Sequence, residues 1–424
     1  MTLEIRRATL RPMILKESQK AKARYSCILF LLVFGSAGLA IFNGCTPSST
    51  LMLEREELFT LSFGKLDDQL DVFHLVHGGG PAQLYFAMED GRFFISNGSA
   101  GKVMVFSSYG DLLQLYYNPE KNPPPTFSIE KRETGSNRKA FPYAFNQIGK
   151  IALSSTKIIY IEEKLPEERS IFDKDKGVFL NGIVLRFENG EYRGYLGQEG
   201  IGGNPFPFIE RLDVSRKGEL VVTCRTPTEW LLFWYTSEGV LKYKLSFSLE
   251  NLPLPYEGKV FLNPDTIIPS PTQTSVYISI SYFKEGIDNQ TNIRYGIEHL
   301  STKVFRFDLE TRSFVELFQV PENQRPFQTE RSTSVISIPL MHELVGILPG
   351  ENFLFQSSQP NDLHQLLILQ PSGRVLYRRQ IRVEDNQLIY SSFHLSREGI
   401  LSALLLTDVG AKVVWWRTDS LLKE

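Results

Sequence analysis

Two histidines and three aspartates near residue 70 have side chains that could bind a metal ion. They are Asp67, Asp68, Asp71, His74 and His77. Imidazole nitrogens and carboxylate oxygens are common ligands of divalent metals. The spacing does not single out a third ligand for the two histidines, and histidines of this kind are usually solvated. The pattern therefore favours a solvated loop, with a metal site as the alternative.

A run of three glycines, Gly78 to Gly80, follows these residues. Phosphate-binding loops combine glycines with a lysine and a serine or threonine at fixed spacing. Neither follows here, so the glycines predict only a flexible segment before the first long strand. No pairing of a nucleophile with a base stands out along the chain. We therefore predict no catalytic residue of that type.

The chain begins with a segment that has the composition of a targeting signal. A basic leader precedes an apolar run of about 16 residues, Cys27–Phe42, which is short for a membrane-spanning helix and suits a signal peptide. The run ends at Ile41-Phe42-Asn43-Gly44-Cys45. This ending resembles a bacterial lipobox, relaxed in the manner of spirochaete lipoproteins. The resemblance implies cleavage before Cys45 and attachment of lipid to that residue.

Phe42 and Asn43 depart from the residues most common in lipoboxes, so an uncleaved signal anchor remains the alternative. In both cases the folded part is expected outside the cytoplasm, held to the cell membrane or outer membrane by acyl chains or by the apolar run. We predict a signal peptide with a helix within residues 1–44, a tether over residues 45–56 and a folded domain over residues 57–424.

Charge and cysteine usage agree with an extracytoplasmic domain. The first 44 residues contain 7 of the 46 basic and 2 of the 48 acidic residues, so 39 basic and 46 acidic residues remain, a net charge of −7. A mildly acidic chain gives no support to nucleic-acid binding, which usually needs a basic face. Beyond Cys45 the chain has only Cys224, which excludes an internal disulfide framework.

Four short runs typical of β-strands lie between Leu84 and Tyr117, separated by Gly, Asn, Asp and Ser. The same succession of an inner and an outer hairpin recurs six times. The inner hairpins begin at Leu84, Asn146, Glu210, Asp265, His342 and Ser391, and the outer ones at Lys102, Ile183, Leu231, Lys303, Leu366 and Lys412. A sheet this small cannot bury both faces alone. Six in succession predict an all-β fold, a six-bladed propeller of four-stranded antiparallel blades.

The sixth blade lacks its fourth strand, because only Leu421–Glu424 follows its last run. Near the other end, residues 57–64 form a lone strand with no partner. We predict that this N-terminal strand completes the last blade. Joining the two ends would remove the open sheet edges that otherwise invite aggregation.

The first blade, from Asp90 to Tyr117, contains the pattern D-G-x-x-x-I followed by K-V-x-x-F-x-x-x-G. This pattern resembles NHL-type propellers. Together with the lipobox, it makes residues 45–424 similar to uncharacterised NHL-like spirochaete lipoproteins. The resemblance implies a six-bladed propeller and a lipid anchor, and it implies no particular reaction.

The longest connections all belong to one face of the predicted disc. Strands alternate in direction, so the connections between blades and those between the second and third strand of a blade share a face, here called the loop-rich face. The tight hairpin turns share the other, here called the turn face. The long connections run over Asn118–Phe141, Glu162–Gly182, Gly197–Ile209, Glu250–Asn263, Lys284–Thr302 and Pro321–Val335. Function concentrates where loops are elaborated.

The resemblance to propellers has a second implication. Lactonases of the gluconolactonase type hold a metal on the propeller axis, with ligands at the starts of several innermost strands. The corresponding positions here include Glu210, Asp265 and Glu343, with Asn146 and His342 nearby. These are weak candidates for a calcium site, because six strand starts often include a few acids by chance.

The sequence therefore favours a binding or scaffold module, anchored through lipid on Cys45, that presents its loop-rich face to a protein, a polysaccharide or another envelope partner. A metal-dependent hydrolase that uses the axial acids is the alternative. No cofactor is expected for the first function, and calcium is the candidate for the second.

Overall fold

The computed structural model describes residues 51–73, 83–127, 138–287, 293–328, 335–359, 362–383 and 388–423. The predicted signal segment, Cys45, His74, His77 and the glycine run lie outside these residues. The helical segments whose bounds lie within them are short 3-10 segments at Glu167–Arg169, Leu249–Asn251, Pro349–Glu351 and Thr418–Leu422. None of the described helices has the length and hydropathy needed to cross a bilayer.

Turn residues in the sequence fix where strands end. Asp90 and Gly91 have φ values of 49° and 66°, and Asn189 and Gly190 have values of 52° and 93°. A two-residue hairpin turn needs positive φ at both positions, which Asn, Asp and Gly adopt at the lowest cost. The strands on either side are consequently paired without a loop between them.

The first strands form the closing segment and blades 1 and 2. The closing segment is β1 (Glu56–Leu61). Blade 1 consists of β2 (Leu84–Glu89), β3 (Arg92–Asn97), β4 (Lys102–Phe106), β5 (Leu112–Tyr117) and β6 (Lys139–Pro142). The chain of blade 2 runs through β7 (Gln147–Leu153), β8 (Ile158–Lys164), β9 (Ile171–Asp173), β10 (Val178–Leu180), β11 (Gly182–Glu188), β12 (Glu191–Gly197) and β13 (Gly200–Ile201). Strands β9 and β10 form a separate hairpin beside the blade.

Blades 3 to 6 follow in chain order. Blade 3 is β14 (Phe208–Val214), β15 (Leu220–Arg225), β16 (Glu229–Tyr235) and β17 (Leu241–Ser248), and blade 4 is β18 (Val260–Pro269), β19 (Ser275–Ile287), β20 (Arg294–Asp308) and β21 (Ser313–Gln319). A hairpin of β22 (Asn323–Gln328) and β23 (Val335–Leu340) precedes blade 5, which is β24 (Glu343–Leu348), β25 (Asn352–Ser358), β26 (Leu363–Leu369) and β27 (Val375–Arg382). Blade 6 is β28 (Tyr390–Leu395), β29 (Leu401–Leu406), β30 (Ala411–Trp416) and β1.

The predicted closure of the ring is confirmed. Strand β1 pairs antiparallel with β30, with Glu57 opposite Val414 and Thr60 opposite Lys412. The N-terminal strand is therefore the outermost strand of the last blade. The first and the last strand of the chain are therefore both part of blade 6.

Six hydrophobic clusters show that the blades close into a ring. Each cluster is shared by two neighbouring blades, and together they cover all six boundaries, including the one between blades 6 and 1. Trp234 lies at the boundary of blades 3 and 4 and Trp416 at that of blades 5 and 6. Cys224 is buried between blades 2 and 3. Burial between sheets is thus the source of stability, because no disulfide contributes among the described residues.

Two blades have five strands, where four were expected. In blade 1, β6 pairs parallel with β5 at the outer edge. In blade 2, the short strand β13 pairs with β12. Both extra strands come from long connections between blades, which fold back onto an otherwise open edge.

Blade 4 also differs from the expectation of an irregular loop over Lys284–Thr302. Strands β19 and β20 are 13 and 15 residues long, against six or seven in most of the other blades. At about 3.3 Å per residue, they extend roughly 20 Å farther than their counterparts. The extension lies at the end where β19 connects to β20, so this hairpin belongs to the loop-rich face.

Candidate functional site

The three predicted axial acids do not form a common site. Asp265 accepts hydrogen bonds from Ser281 Oγ at 2.6 Å and Asn263 Nδ2 at 2.8 Å. Burial raises the pKa of its carboxyl, and the negative charge of Glu343 adds to that rise. Glu210 lies elsewhere, in the wall of a cavity between other blades. The carboxylates of Glu210, Asp265 and Glu343, all among the described residues, do not come within 4.8 Å of one another.

Asn146 and His342 are not placed as ligands beside these acids. The Asn146 Nδ2 donates to the Lys164 carbonyl at 2.7 Å, and its backbone N–H donates to Glu163 at 2.8 Å. His342 is buried beside a small cavity of about 20 Å³, and burial lowers its pKa to about 4. Neither imidazole nitrogen of His342 has a hydrogen-bond partner among the described residues.

The described part of the predicted loop site has a structural role. Asp67 accepts hydrogen bonds from the Thr126 backbone N–H at 2.8 Å and from the Thr126 hydroxyl at 2.7 Å. The Lys102 ammonium donates to the Leu66 carbonyl at 2.7 Å. Burial lowers the pKa of Lys102 to about 8, although three nearby aspartates oppose the shift. These contacts fasten the segment that follows β1 onto blade 1.

One group of three acids does converge among the described residues: Glu89, Asp90 and Glu398. They belong to the first hairpin turns of blades 1 and 6, so they lie on the turn face and not at the strand starts. Asp90 and Glu398 are exposed. Glu89 is 8% exposed, and burial raises its pKa to about 7 despite the opposing charge of Arg397. No sequence pattern pointed to this group.

A cavity of about 330 Å³ lies on the propeller axis. Side chains from the innermost strands of blades 1, 2, 3, 5 and 6 line it. They come mainly from the C-terminal halves of these strands, so the cavity lies toward the turn face. Its volume is at the lower end of the range for small-molecule sites.

Two arginines, Arg211 and Arg397, line this cavity. Arg211 Nε donates to both carboxylate oxygens of Asp213, at 2.8 and 2.9 Å. Arg397 Nη2 donates to the Leu153 carbonyl at 2.6 Å, and Arg397 Nε lies 3.4 Å from Glu89 Oε1. Each guanidinium therefore has a carboxylate beside it, and each still has N–H groups that these contacts do not use.

His394 lies between the arginines. Its Nδ1 accepts a hydrogen bond from the Met88 backbone N–H at 3.2 Å, so the neutral ring carries its proton on Nε2. Burial and the charges of Arg211 and Arg397 lower the pKa of His394 to about 4. The ring is thus neutral at pH 7 and offers an N–H donor. No described residue accepts a hydrogen bond from Nε2.

The opposite end of the same cavity contains Lys150. Its Nζ donates to the Ile209 carbonyl at 2.8 Å and lies 3.5 Å from Glu162 Oε2. The ammonium also lies 5.1 Å from the ring centroids of Tyr85 and of Phe208. Burial raises the pKa of Tyr85 to about 12, so its hydroxyl stays protonated. Sequence reasoning missed this cavity because its polar residues come from four separate blades and form no contiguous motif.

The loop-rich face is the more apolar face of the disc. Its connections and strand starts carry most of the exposed large hydrophobic side chains of the described residues. They are Leu66, Phe73, Ile171, Phe172, Phe179, Phe208, Leu249, Leu254, Phe261, Ile287, Ile293, Tyr295, Ile297, Met341, Ile389 and Val409. On the turn face, Tyr109 and Val240 are the corresponding residues of the described hairpin turns, and Tyr192, Ile201 and Val315 lie close to such turns.

Two hairpins concentrate this apolar surface. Phe172 and Phe179 pair across β9 and β10, with ring centroids 5.0 Å apart, and both are at least half exposed. At the end of the long blade 4 hairpin, Tyr295 and Ile297 are 62% and 69% exposed. No described strand pairs with β20 over residues 296–301 on the side away from β19. Among the described residues, this stretch of β20 is therefore a strand edge with apolar side chains beside it.

Comparisons with known proteins identify no relative by sequence. No protein-family model and no curated protein matches the chain. The resemblance to spirochaete lipoproteins therefore gains no support from them and stays a prediction.

Solved structures similar to this one include a β-propeller domain. A gluconolactonase from Xanthomonas campestris has a TM-score of 0.40 and 10% identity, over 88% of this chain and 98% of that one. The calcium-binding protein regucalcin from Agrobacterium tumefaciens has a TM-score of 0.39 and 9% identity, over 87% and 96%. The propeller domain of the trilobed protease from Pyrococcus furiosus has a TM-score of 0.41 and 8% identity, over 79% and 95%. At these scores, nothing about the chemistry of this chain rests on them.

Proposed function

We propose that the protein is a membrane-anchored, extracytoplasmic binding module whose loop-rich face docks a protein partner of the cell envelope. The observation that carries the proposal is the concentration of most of the exposed apolar side chains on that face. Monomeric soluble proteins rarely expose such surface in concentrated form unless it binds something. The anchor is the one predicted from the residues around Cys45.

The blade 4 hairpin supports a protein as the partner. An unpaired strand edge can accept an extended segment of another chain, which adds backbone hydrogen bonds to the sheet. The edge over residues 296–301 lies beside the exposed side chains of Tyr295 and Ile297. A polysaccharide has no backbone that continues a β-sheet. The combination of strand edge and exposed side chains therefore favours a polypeptide.

A photo-crosslinking amino acid at Ile297 or Phe179, in the full chain in native membranes, tests the proposal. Tyr109, 88% exposed on the turn face, is the matched control position. We expect both loop-face positions to give the same discrete protein adduct and Tyr109 to give none. Equal adducts from all three positions, or adducts with lipid alone, would contradict the proposal.

The alternative, a metal-dependent hydrolase, is supported less directly. The predicted acids Glu210, Asp265 and Glu343 do not lie close together. The acids that do converge are Glu89, Asp90 and Glu398, and the last two are exposed. Exposed acidic groups alone do not make a metal site. Calcium titration followed by thermal unfolding tests this function. Stabilisation that Glu210→Ala abolishes would favour the predicted axial acids, and stabilisation that only Glu89→Gln abolishes would move the metal to the turn face.

A further inference from the structure

The axial cavity described above is unrelated to the loop-rich face, and nothing in the proposed docking function uses it. It brings together two guanidinium groups, Arg211 and Arg397, and the N–H donor of His394. Guanidinium groups bind carboxylates in a planar, two-bonded geometry, which makes arginine the preferred residue for such groups. Three convergent donors in a half-enclosed cavity form an acceptor-binding site.

We propose that the axial cavity binds a small hydroxylated monocarboxylate, whose carboxylate lies between Arg211 and Arg397 and accepts a hydrogen bond from His394 Nε2. The rest of the cavity wall suits the other end of such a molecule. Tyr85 and Ser392 offer hydroxyl groups, and Glu210 offers a carboxylate acceptor for ligand hydroxyls.

The surrounding charges limit the ligand to one negative charge. Asp213 stays beside Arg211 with both oxygens accepting from Nε, so Arg211 is already neutralised in part. Glu210 lies in the same wall. A second negative charge on the ligand would approach these carboxylates with no unpaired cation to offset it. Inorganic phosphate, which is mostly doubly charged at pH 7.5, is therefore expected to bind poorly at that pH.

Glu89 competes with the ligand for Arg397. The two groups are 3.4 Å apart, and the ligand carboxylate takes the place of the ionised Glu89. The other charged groups around Glu89 are Asp90 and Glu398 on its exposed side. Across the cavity are Lys150, Arg211, Asp213 and the neutral His394. Since the pKa of Glu89 is raised to about 7, a proton can neutralise it at little cost when the ligand arrives.

This exchange couples binding to proton uptake. Ligand binds to the form in which Glu89 is protonated, so affinity is highest below pH 7 and falls as the pH rises through about 7. The Glu89→Gln variant is permanently neutral at this position. It should retain binding and lose the pH dependence.

Isothermal titration of the full chain in detergent, with EDTA present, tests the proposal. The probes are D-glucuronate, its neutral counterpart methyl glucoside, and inorganic phosphate. We expect glucuronate to bind and the other two to give no measurable binding in the same concentration range. In MOPS and Tris buffers at pH 7.5, the difference in heat should show proton uptake by the wild type and none by Glu89→Gln.

Two variants distinguish a loss of the binding site from a loss of folding. Arg397→Gln should weaken glucuronate binding by at least about tenfold, because it removes the cation that Glu89, once protonated, no longer neutralises. Arg193→Gln removes an arginine that pairs with Glu188 and Glu191 on blade 2, away from the cavity, and should bind as the wild type does. Absence of glucuronate binding, equal binding of methyl glucoside, or unchanged binding by a folded Arg397→Gln variant would overturn the proposal. Crosslinking from the loop-rich face is not affected by any of these outcomes.

Discussion

Glu89 is the residue whose surroundings change its chemistry most clearly. It ends an inner strand at the turn face, where burial raises its pKa to about 7 and Arg397 only partly opposes the shift. The folded state therefore binds a proton that the unfolded chain releases between its ordinary pKa of 4.5 and about 7. Stability is consequently lost as the pH rises through this interval.

The Glu89→Gln variant should remove this dependence. Below pH 4.5 the variant and the wild type should have the same free energy of unfolding. At pH 8 the variant should be more stable, by about 1 to 3 kcal/mol. Thermal unfolding at pH 5 and pH 8 measures the difference. Equal destabilisation of both proteins between these pH values would show that Glu89 ionises normally.

Cys45 is the residue on which the predicted anchor depends. Replacement of Cys45 by alanine should abolish incorporation of a labelled fatty acid and release the protein from membranes, because the acyl chains provide the attachment. Fractionation of labelled cells measures both effects. A Cys45→Ala variant that stays in the membrane would favour the uncleaved signal anchor.

At the scale of elements, β1 determines whether the ring is closed. Phe59 of β1 packs against Phe93 and Phe106 of blade 1, with ring centroids 5.7 and 5.5 Å away. The strand therefore links blade 6 to blade 1 by side-chain packing as well as by backbone pairing with β30.

The Phe59→Ala variant should destabilise the whole domain by about 2 kcal/mol or more, because it leaves space at the boundary between blades. Thr60→Ala, at the exposed neighbouring position of the same strand, should change stability by no more than about 0.5 kcal/mol. Thermal unfolding of both variants tests the role of β1. Equal effects would mean that packing by β1 does not hold the ring together.

The strands of the blades were predictable because each one is marked by a local sequence pattern of apolar residues and turn residues. Asp90-Gly91 and Asn189-Gly190 mark hairpin turns, and the lone run near Phe59 could only complete the unfinished blade. The extension of β19 and β20 was not predictable. Its polar and charged residues, such as Lys284 and Glu285, have the composition of a solvated loop, although they alternate with apolar residues along paired strands.

The candidate sites were predicted less well, for a physical reason. The predicted acids were chosen at the starts of the inner strands, and only Glu210 of them lines the cavity. Arg211 lies in the middle of β14, and His394 and Arg397 lie near and beyond the end of β28. Which side chains meet on an axis depends on the tilt and offset of six separate sheets. The sequence of a single blade therefore does not predict which side chains meet on the axis.

The exposed tip of blade 4 should tolerate change. Ile297→Asp should leave thermal stability within about 0.5 kcal/mol of the wild type, because the side chain is 69% exposed. The same substitution should remove partner binding if the tip is part of the docking surface. A large loss of stability would instead show that Ile297 packs against the rest of the domain.

At the scale of the whole molecule, the disc has two unlike faces. One has short turns and a cavity lined with charges, and the other has long hairpins with apolar tips. Propeller topology produces this asymmetry, because alternate strand connections all emerge on the same side. A single rigid ring can thus carry a small-molecule site near one face and a macromolecular docking surface on the other.

The most direct test of the docking function is the amount of partner that co-purifies with the full chain from crosslinked native membranes. We predict that the double variant Phe179→Asp, Ile297→Asp loses the partner that the wild type retains. The turn-face variant Tyr109→Asp should retain it at the wild-type ratio. Equal recovery of the same partner with all three proteins would contradict the account, because the loop-rich face would then have no part in binding.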